Sequence, residues 1–388
     1  MSYCKVCGEE NCKKHSFLLG RARNITEFSG SSPPEVFVGK WGYPNVYVGI
    51  LSPEEHGDTR VMSSAEEWHS RTLQIPNIMS LRNKLIYGRK TNNIKKVNFG
   101  SKFLSVLQEV AMTDSSVATE FKLKRPVRKH DEKESRVPLI SNAGEVESVR
   151  LGENTKVKKK VDYLVNDVDV KSMNALLELE KAGIGNSNLV KLLSAGLLGL
   201  KKNRKLVPTR WSITAVDDGL SKEKLKRIKY FSVISEIEVF HSEYLGNHYE
   251  FLLLPEEFSF EVIELSMKTF GIWHDRESFF SRKKYADSVT GAYYANRLAL
   301  TEYLDRIKRQ AKCIVFREVR PEYYAPLGVG ILREISREAF KGKGEKFNSV
   351  EEALTRINSR LRVGIKYFRN KSIILKSFGV QRKIGEWF

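Results

Sequence analysis

Two hydrophobic rhythms alternate along this chain, one repeating every second residue and one every third or fourth. Glu35–Val38 and Val46–Gly49 are short, largely apolar runs on either side of Gly42-Tyr43-Pro44-Asn45, which predicts two strands around a turn. Ser64-Ala65-Glu66-Glu67 is a capping box that opens a short helix. Phe103, Leu104, Leu107, Val110 and Ala111 recur at helical spacing and predict a helix over 101–113. Val117, Thr119, Phe121 and Leu123 carry the two-residue rhythm, a strand that runs into Lys122, Lys124, Arg125, Arg128 and Lys129. Residues 125–160 are polar and poor in aromatics, and predict a long surface loop or hairpin. Helices follow near 171–182 and 187–199, broken by Gly183-Ile184-Gly185. Then come strands over 233–239, 249–254 and 258–265, the first two joined by a turn at Leu245-Gly246-Asn247. The longest helical pattern is 291–312, with Cys313–Val319 a buried strand after it and Ser349-Val350-Glu351-Glu352 the cap of a further helix. Strands and helices fall in separate runs, so the predicted class is α+β.

At 388 residues, 41% hydrophobic and 29% charged, the chain has ordinary globular composition. No apolar run approaches the ~18 residues of a membrane span, and Met1-Ser2-Tyr3-Cys4 begins no secretory signal. A cytoplasmic protein is therefore expected. The net charge of +19 changes the picture more, because a surface this basic attracts polyanions, nucleic acid first among them. The cations cluster at 122–129, at Lys156, Lys158, Lys159 and Lys160, and at Lys201, Lys202, Arg204 and Lys205. From Arg356 to Phe388 there are nine Lys or Arg and a single acid, Glu386.

Three of the four cysteines sit in the first dozen residues, as Cys4-x2-Cys7-x4-Cys12 with His15 three residues further on. Thiolates and an imidazole at this spacing suit one tetrahedral zinc, and four protein ligands leave no open position, so the site would be structural. The other end of the chain reads Gln381-Arg382-Lys383-Ile384-Gly385-Glu386-Trp387-Phe388, the Gln-x-x-aliphatic-x-x-aromatic-aromatic pattern of peptides that bind the sliding clamp PCNA. One helical turn places Ile384, Trp387 and Phe388 on one side as a three-pronged apolar plug. The alternative is that the two aromatics fold back on their own domain. The predicted organisation is a zinc knuckle at 1–20, one large mixed body at 21–378 with a subdivision near 125–165, and a clamp-binding tail at 379–388.

Together with three internal strings, these termini resemble the archaeal Nre family of DNA-repair proteins. The strings are Pro34-Glu35-Val36-Phe37-Val38-Gly39-Lys40-Trp41-Gly42-Tyr43-Pro44, Leu206-Val207-Pro208-Thr209-Arg210-Trp211-Ser212-Ile213-Thr214-Ala215-Val216-Asp217-Asp218 and Gly291-Ala292-Tyr293-Tyr294-Ala295. The resemblance implies a role in the DNA-damage response, a zinc knuckle and PCNA binding. The family pattern is often four cysteines, and His15 stands where the fourth ligand is sought. The resemblance implies no reaction.

No P-loop, dinucleotide fingerprint or His-Glu-x-x-His is present. Arg210 and Trp211 suit a phosphate clamp and a base stack, and Asp217 and Asp218 suit a divalent metal. The plainer reading of 209–218 is a strand that ends in an Asp-Asp-Gly turn. His274, in Gly271-Ile272-Trp273-His274-Asp275-Arg276, is a candidate base, and Lys90, in Gly88–Asn93, a candidate phosphate contact on a loop. Two functions follow. One is a DNA-binding repair accessory tethered to the clamp, and the other a metal-dependent nuclease or nucleotide-processing enzyme at Asp217, Asp218 and His274.

Overall fold

The computed structural model describes residues 23–98, 101–129, 137–140, 142–325 and 327–378. The cysteine motif with His15 and the terminal peptide Gln381–Phe388 lie outside the described residues. The chain divides into two compact units, residues 1–219 with 325–331 and residues 220–324 with 332–388.

The first unit is built on a seven-stranded sheet. Its strands are β1 (Glu27–Ser32), β2 (Glu35–Val38), β3 (Asn45–Ser52), β4 (Ile86–Asn93), β5 (Val117–Leu123), β6 (Arg128–Lys129) and β7 (Asn142–Leu151). Their order is β1-β5-β7-β4-β3-β2, with β6 on β7, and β4 and β7 run parallel. The predicted hairpin of β2 and β3 is present, with Val36 opposite Ile50. The helices are α1 (Ala65–Ser70), α2 (Ile75–Lys84), α3 (Lys102–Met112), α4 (Lys159–Asn166), α5 (Ser172–Lys181) and α6 (Asn186–Ser194), and α7 (Thr209–Ile228) starts here. Ser64 caps α1 by accepting from the Glu67 amide, as its sequence requires. Arg82 of α2 is buried, pairs with Glu35 of β2 through Nη1 and donates from Nε to the Leu139 carbonyl at 3.1 Å, so helix and sheet are tied by a charged pair, while the buried Nη2 of Arg82 has no hydrogen-bond partner among the described residues.

Two expectations are revised in this unit. Of the surface loop or hairpin expected over 125–160, an antiparallel pairing of β6 with β7 is present, but residues 142–151 continue as a strand inside the sheet. β7 reads as surface because its outward residues are polar, and they pair across to β5, Lys122 with Glu147 at 3.4 Å and Arg150 with Glu120 at 2.6 Å. Residues 209–218 are helix, not strand and turn. Buried Ile213, Val216 and Leu220 fall at helical spacing, but buried Ser212, Asp217 and Ser221 interrupt the apolar stripe and hide it from a pattern search.

In the second unit the strands are β8 (Ile237–Tyr244), β9 (Asn247–Leu254), β10 (Ser259–Ser266), β11 (Ile272–Glu277), β12 (Lys312–Val319) and β13 (Glu345–Phe347). They order as β11-β10-β12-β9-β8-β13, with β10 and β12 parallel. The helices are α8 (Gly291–Ile307), α9 (Val329–Ala339, entering from Leu332), α10 (Val350–Arg360), α11 (Lys366–Lys371) and α12 (Ile373–Ser377). Leu245 and Gly246, both at positive φ, make the two-residue turn between β8 and β9. One sheet face, carrying Val239, Leu252, Ile263 and Phe316, packs on Leu354, Ile357, Phe368 and Ile374 of the last three helices. Each such side chain contributes ~1.5–3 kcal/mol on burial. On the other face Phe260 meets Tyr293 of α8 edge to face at 5.1 Å. α8 stops at Ile307 with Lys308 in the left-handed conformation, so the helix expected to reach 312 ends early and Lys312 opens β12. Cys313 is a free, buried strand residue whose thiol pKa burial pushes up. The expected mixture of sheet and helix is present, two sheets and twelve α-helices among the described residues. No helix among those residues is long and apolar enough to cross a membrane.

Candidate nucleic-acid interface

The two family-like strings 34–44 and 206–218 lie far apart in sequence and meet in the first unit. The loop from β2 to β3 is closed by the Gly39 amide donating to the Tyr47 carbonyl and the Asn45 amide to the Gly42 carbonyl, both at 2.8 Å. Gly42 sits at φ +79°, and a Cβ there would stand 2.7 Å from the Asn45 carbonyl, so the turn needs glycine. This loop holds Trp41 at 69% exposure and Tyr43 at 47%. Along β3, Val46 and Val48 are buried while Tyr47 alternates to the outside. The Arg89 guanidinium of β4 lies 4.0 Å from the centre of the Tyr47 ring, and the Lys40 amine 4.3 Å from that of Trp41.

The second string is laid against the first by backbone. The Ile94 amide donates to the Pro44 carbonyl at 3.0 Å, the Leu206 amide to the Ile94 carbonyl at 2.9 Å, and the Val38 amide to the Thr209 hydroxyl at 2.9 Å. Trp211, in the first turn of α7, then stands 5.5 Å from Tyr43, ring centre to ring centre, at 53°. Arg210 is half-buried beside it in sequence. The segments 36–52, 85–98 and 200–216, joined by these bonds, hold ten Lys or Arg and no acid.

Other basic clusters are answered by acids. Lys124 pairs with Glu145 at 3.2 Å, Lys158 with Asp114 at 2.6 Å and Lys160 with Glu178 at 2.7 Å. Arg204 donates to the Gly199, Val165 and Asp167 carbonyls, each at 2.8 Å, and so serves the fold. Near the C-terminus, Arg360 bridges Glu250 and Glu345, Arg362 pairs with Glu322 and Arg369 with Glu351.

Of the residues singled out from sequence, Trp211 belongs to this face, and Arg210 precedes it with a buried Nε. Lys90 lies on β4, not on a loop, and strand alternation sends it away from Arg89; its amine donates to the Glu147 carbonyl at 2.9 Å and lies 5.4 Å from the Phe103 ring. Asp217 and Asp218 are consecutive on α7 and point ~100° apart around the axis. Asp217 is fully buried, with the Asn186 amide at 3.5 Å, and Asp218 is half-buried. His274 is on β11 in the second unit, its Nε2 2.7 Å from Glu261 Oε1. Glu261 also takes the Ser372 hydroxyl and the Ile373 and Ile374 amides at the start of α12. Burial raises the Glu261 pKa, but the bonds from His274, Ser372 and Ile373 outweigh it and hold the carboxyl below its ordinary value. His274 is thus part of a buried clamp on α12. Among the described residues no three His, Cys, Asp or Glu side chains gather as metal ligands would.

Residues 2–273 match the family model described as Archaeal Nre, N-terminal, and residues 277–387 the one described as Archaeal Nre, C-terminal. The chain belongs to the archaeal Nre family. It is similar to DNA repair protein NreB of Archaeoglobus fulgidus, 33% identical over 98% of this chain and 97% of that one. DNA repair protein NreA of the same organism is 34% identical over 92% and 91%, and NreA of Haloferax volcanii 32% over 92% and 88%. No solved structure matches the chain. Pattern reading missed Lys40, Trp41, Tyr43, Tyr47 and Arg89 as site residues of this Nre protein. The available signal was aromatics interleaved with cations in acid-free sequence.

Proposed function

We propose that this Nre protein is a DNA repair accessory factor. It contacts DNA through the cationic, aromatic face of the first unit and is tethered to the PCNA clamp by Gln381, Ile384, Trp387 and Phe388. The observation that carries the DNA contact is the joining of three acid-free segments on one unit, with four exposed rings and eight cations besides the internally engaged Lys90 and Arg204. The three relatives, each named a DNA repair protein, support the setting. The clamp tether rests on the spacing of the terminal anchors, which would raise the local concentration of the protein on DNA without any catalytic group. A structural zinc on Cys4, Cys7, Cys12 and His15 completes the proposal and would supply the folding energy of a segment too short for its own core. The nuclease reading gains nothing from the geometry, since Asp217 and His274 engage internal partners.

The test is anisotropy of labelled DNA titrated with the full chain across a salt series. Neutralising four to six phosphates predicts a fall of log affinity with log salt of slope about −3 to −5. Affinity that is absent at low salt, or flat with salt, removes the DNA contact.

A further inference from the structure

We infer that the first-unit face takes single-stranded DNA, with unpaired bases stacked on Trp41, on the Tyr43–Trp211 pair and on Tyr47. This rests on the DNA contact proposed above and goes further, because charge alone would serve a duplex as well. Duplex DNA shows phosphates and groove edges and hides the faces of its bases. Unpaired bases show those faces, and flat side chains beside cations are what receives them.

The rings have that arrangement. Trp41 keeps 69% of its surface open although the Lys40 amine sits 4.3 Å from its centre, so a cation backs the indole and leaves it available. Arg89 does the same for Tyr47, which remains 44% exposed. A cation on one side of a ring and a base on the other can act together, the base by stacking and the cation on both ring and phosphate. Trp211, 44% exposed, tilts against Tyr43, so the pair offers a corner rather than a slab.

The backbone that carries the rings is held in place before any ligand arrives. The bonds from Gly39, Asn45, Ile94, Leu206 and Val38 fix the loop and the entry of α7. Two tryptophans and two tyrosines on fixed backbone, each with only two side-chain torsions, lose little entropy on binding. An apolar peptide is the rival occupant, and it would need aliphatic walls. Val46, Val48 and Ile50 of β3 are wholly buried, and the large apolar side chains this face exposes are all aromatic. The cations beside its rings, Lys40 on Trp41 and Arg89 on Tyr47, point the same way.

The experiment uses the full chain and three labelled probes of equal length: an oligothymidylate, the same backbone without bases, and a blunt duplex. The expected result is that the oligothymidylate binds at least about tenfold more tightly than the abasic strand and quenches tryptophan fluorescence. Trp41→Ala and Trp211→Ala should each cost about five- to a hundredfold for the oligothymidylate, the range for loss of one stacked base. They should leave abasic binding and the salt slope unchanged, while Trp41→Phe restores most of the affinity. Arg89→Ala should instead lower the salt slope by about one. Melting curves of each variant should overlay the wild type, since these rings are exposed. Equal binding of oligothymidylate and abasic strand overturns base stacking but leaves the DNA contact standing. No binding of any probe overturns both. Base-dependent binding that survives both tryptophan changes but falls with Tyr230→Ala or Phe280→Ala, exposed at 90% and 79% in the second unit, overturns the assignment to this face.

Discussion

Glu261→Gln tests the physical reasoning where it is most quantitative. Glu261 is fully buried on β10. Its Oε1 lies 2.7 Å from His274 Nε2 and accepts from the Ile373 amide at 2.8 Å. Its Oε2 accepts from the Ser372 hydroxyl at 2.5 Å and the Ile374 amide at 3.3 Å. Glutamine keeps the shape, but it is neutral, and its NH2 end must face the Ile373 or the Ile374 amide whichever way it is turned, with His274 or Ser372 free to turn from donor to acceptor. One amide bond to a charged acceptor is lost outright, worth ~1.5–3 kcal/mol, and the remaining bonds fall from charged to neutral, at about 1 kcal/mol each. The 3.3 Å bond is the weakest of the four, which sets the expected loss at ~3–5 kcal/mol of the second unit's stability. Denaturant unfolding gives the loss directly. Amide exchange localises it, because protection of Ile373 and Ile374 should fall by about two to three orders of magnitude, at ~1.4 kcal/mol per tenfold. The pH dependence has a definite sign. The carboxyl pKa is lowered in the folded state, so its stabilisation is fully present above the ordinary value of 4.5 and is lost as pH falls through the folded value. The difference between wild type and Glu261→Gln should therefore be largest at neutral pH and close in acid. A loss below ~1 kcal/mol, or a difference that does not narrow in acid, would refute the clamp on α12.

Two further outcomes bear on the termini. Changing Trp387 and Phe388 to Ala should abolish binding to the cognate clamp, at ~2–4 kcal/mol per buried aromatic anchor, with an unchanged melting temperature; calorimetry and a melt of each protein decide it, and a large drop in melting temperature would place the two rings on their own domain instead. Metal analysis of protein purified without chelator should find one zinc per chain, and Cys7→Ala should reduce it to none.

Much of the local structure was legible from sequence because it is decided locally. Ser64 and Ser349 cap α1 and α10 through their own side chains, accepting from the amides three residues on, so a four-residue string suffices to place each helix start. The β2–β3 hairpin follows from two short apolar runs around one glycine turn, and α3 from a clean apolar stripe. Family membership was carried by strings that include Trp41, Trp211 and Tyr293, and the matches over 2–273 and 277–387 agree. What tertiary structure decided is of another kind. β7 looks like loop because its outward side is charged, and only β5, across the sheet, supplies the partners that make those charges compatible with a strand. α7 looks like strand and turn because polar Ser212 and Asp217 occupy buried positions, where burial depends on what packs there. Net charge could not say which cations matter, since pairing is a matter of distance. The folded chain answers Lys124, Lys158, Arg360 and Arg369 with acids. It brings Lys40, Trp41, Tyr43, Tyr47, Arg89 and Trp211 into a face that contains no acid in its three segments. Hydrophobic rhythm reports which side of an element is buried. It carries no information about which elements, some 170 residues apart, will share a surface, and the bond from Val38 to Thr209, 171 residues away, is the contact that decides it here.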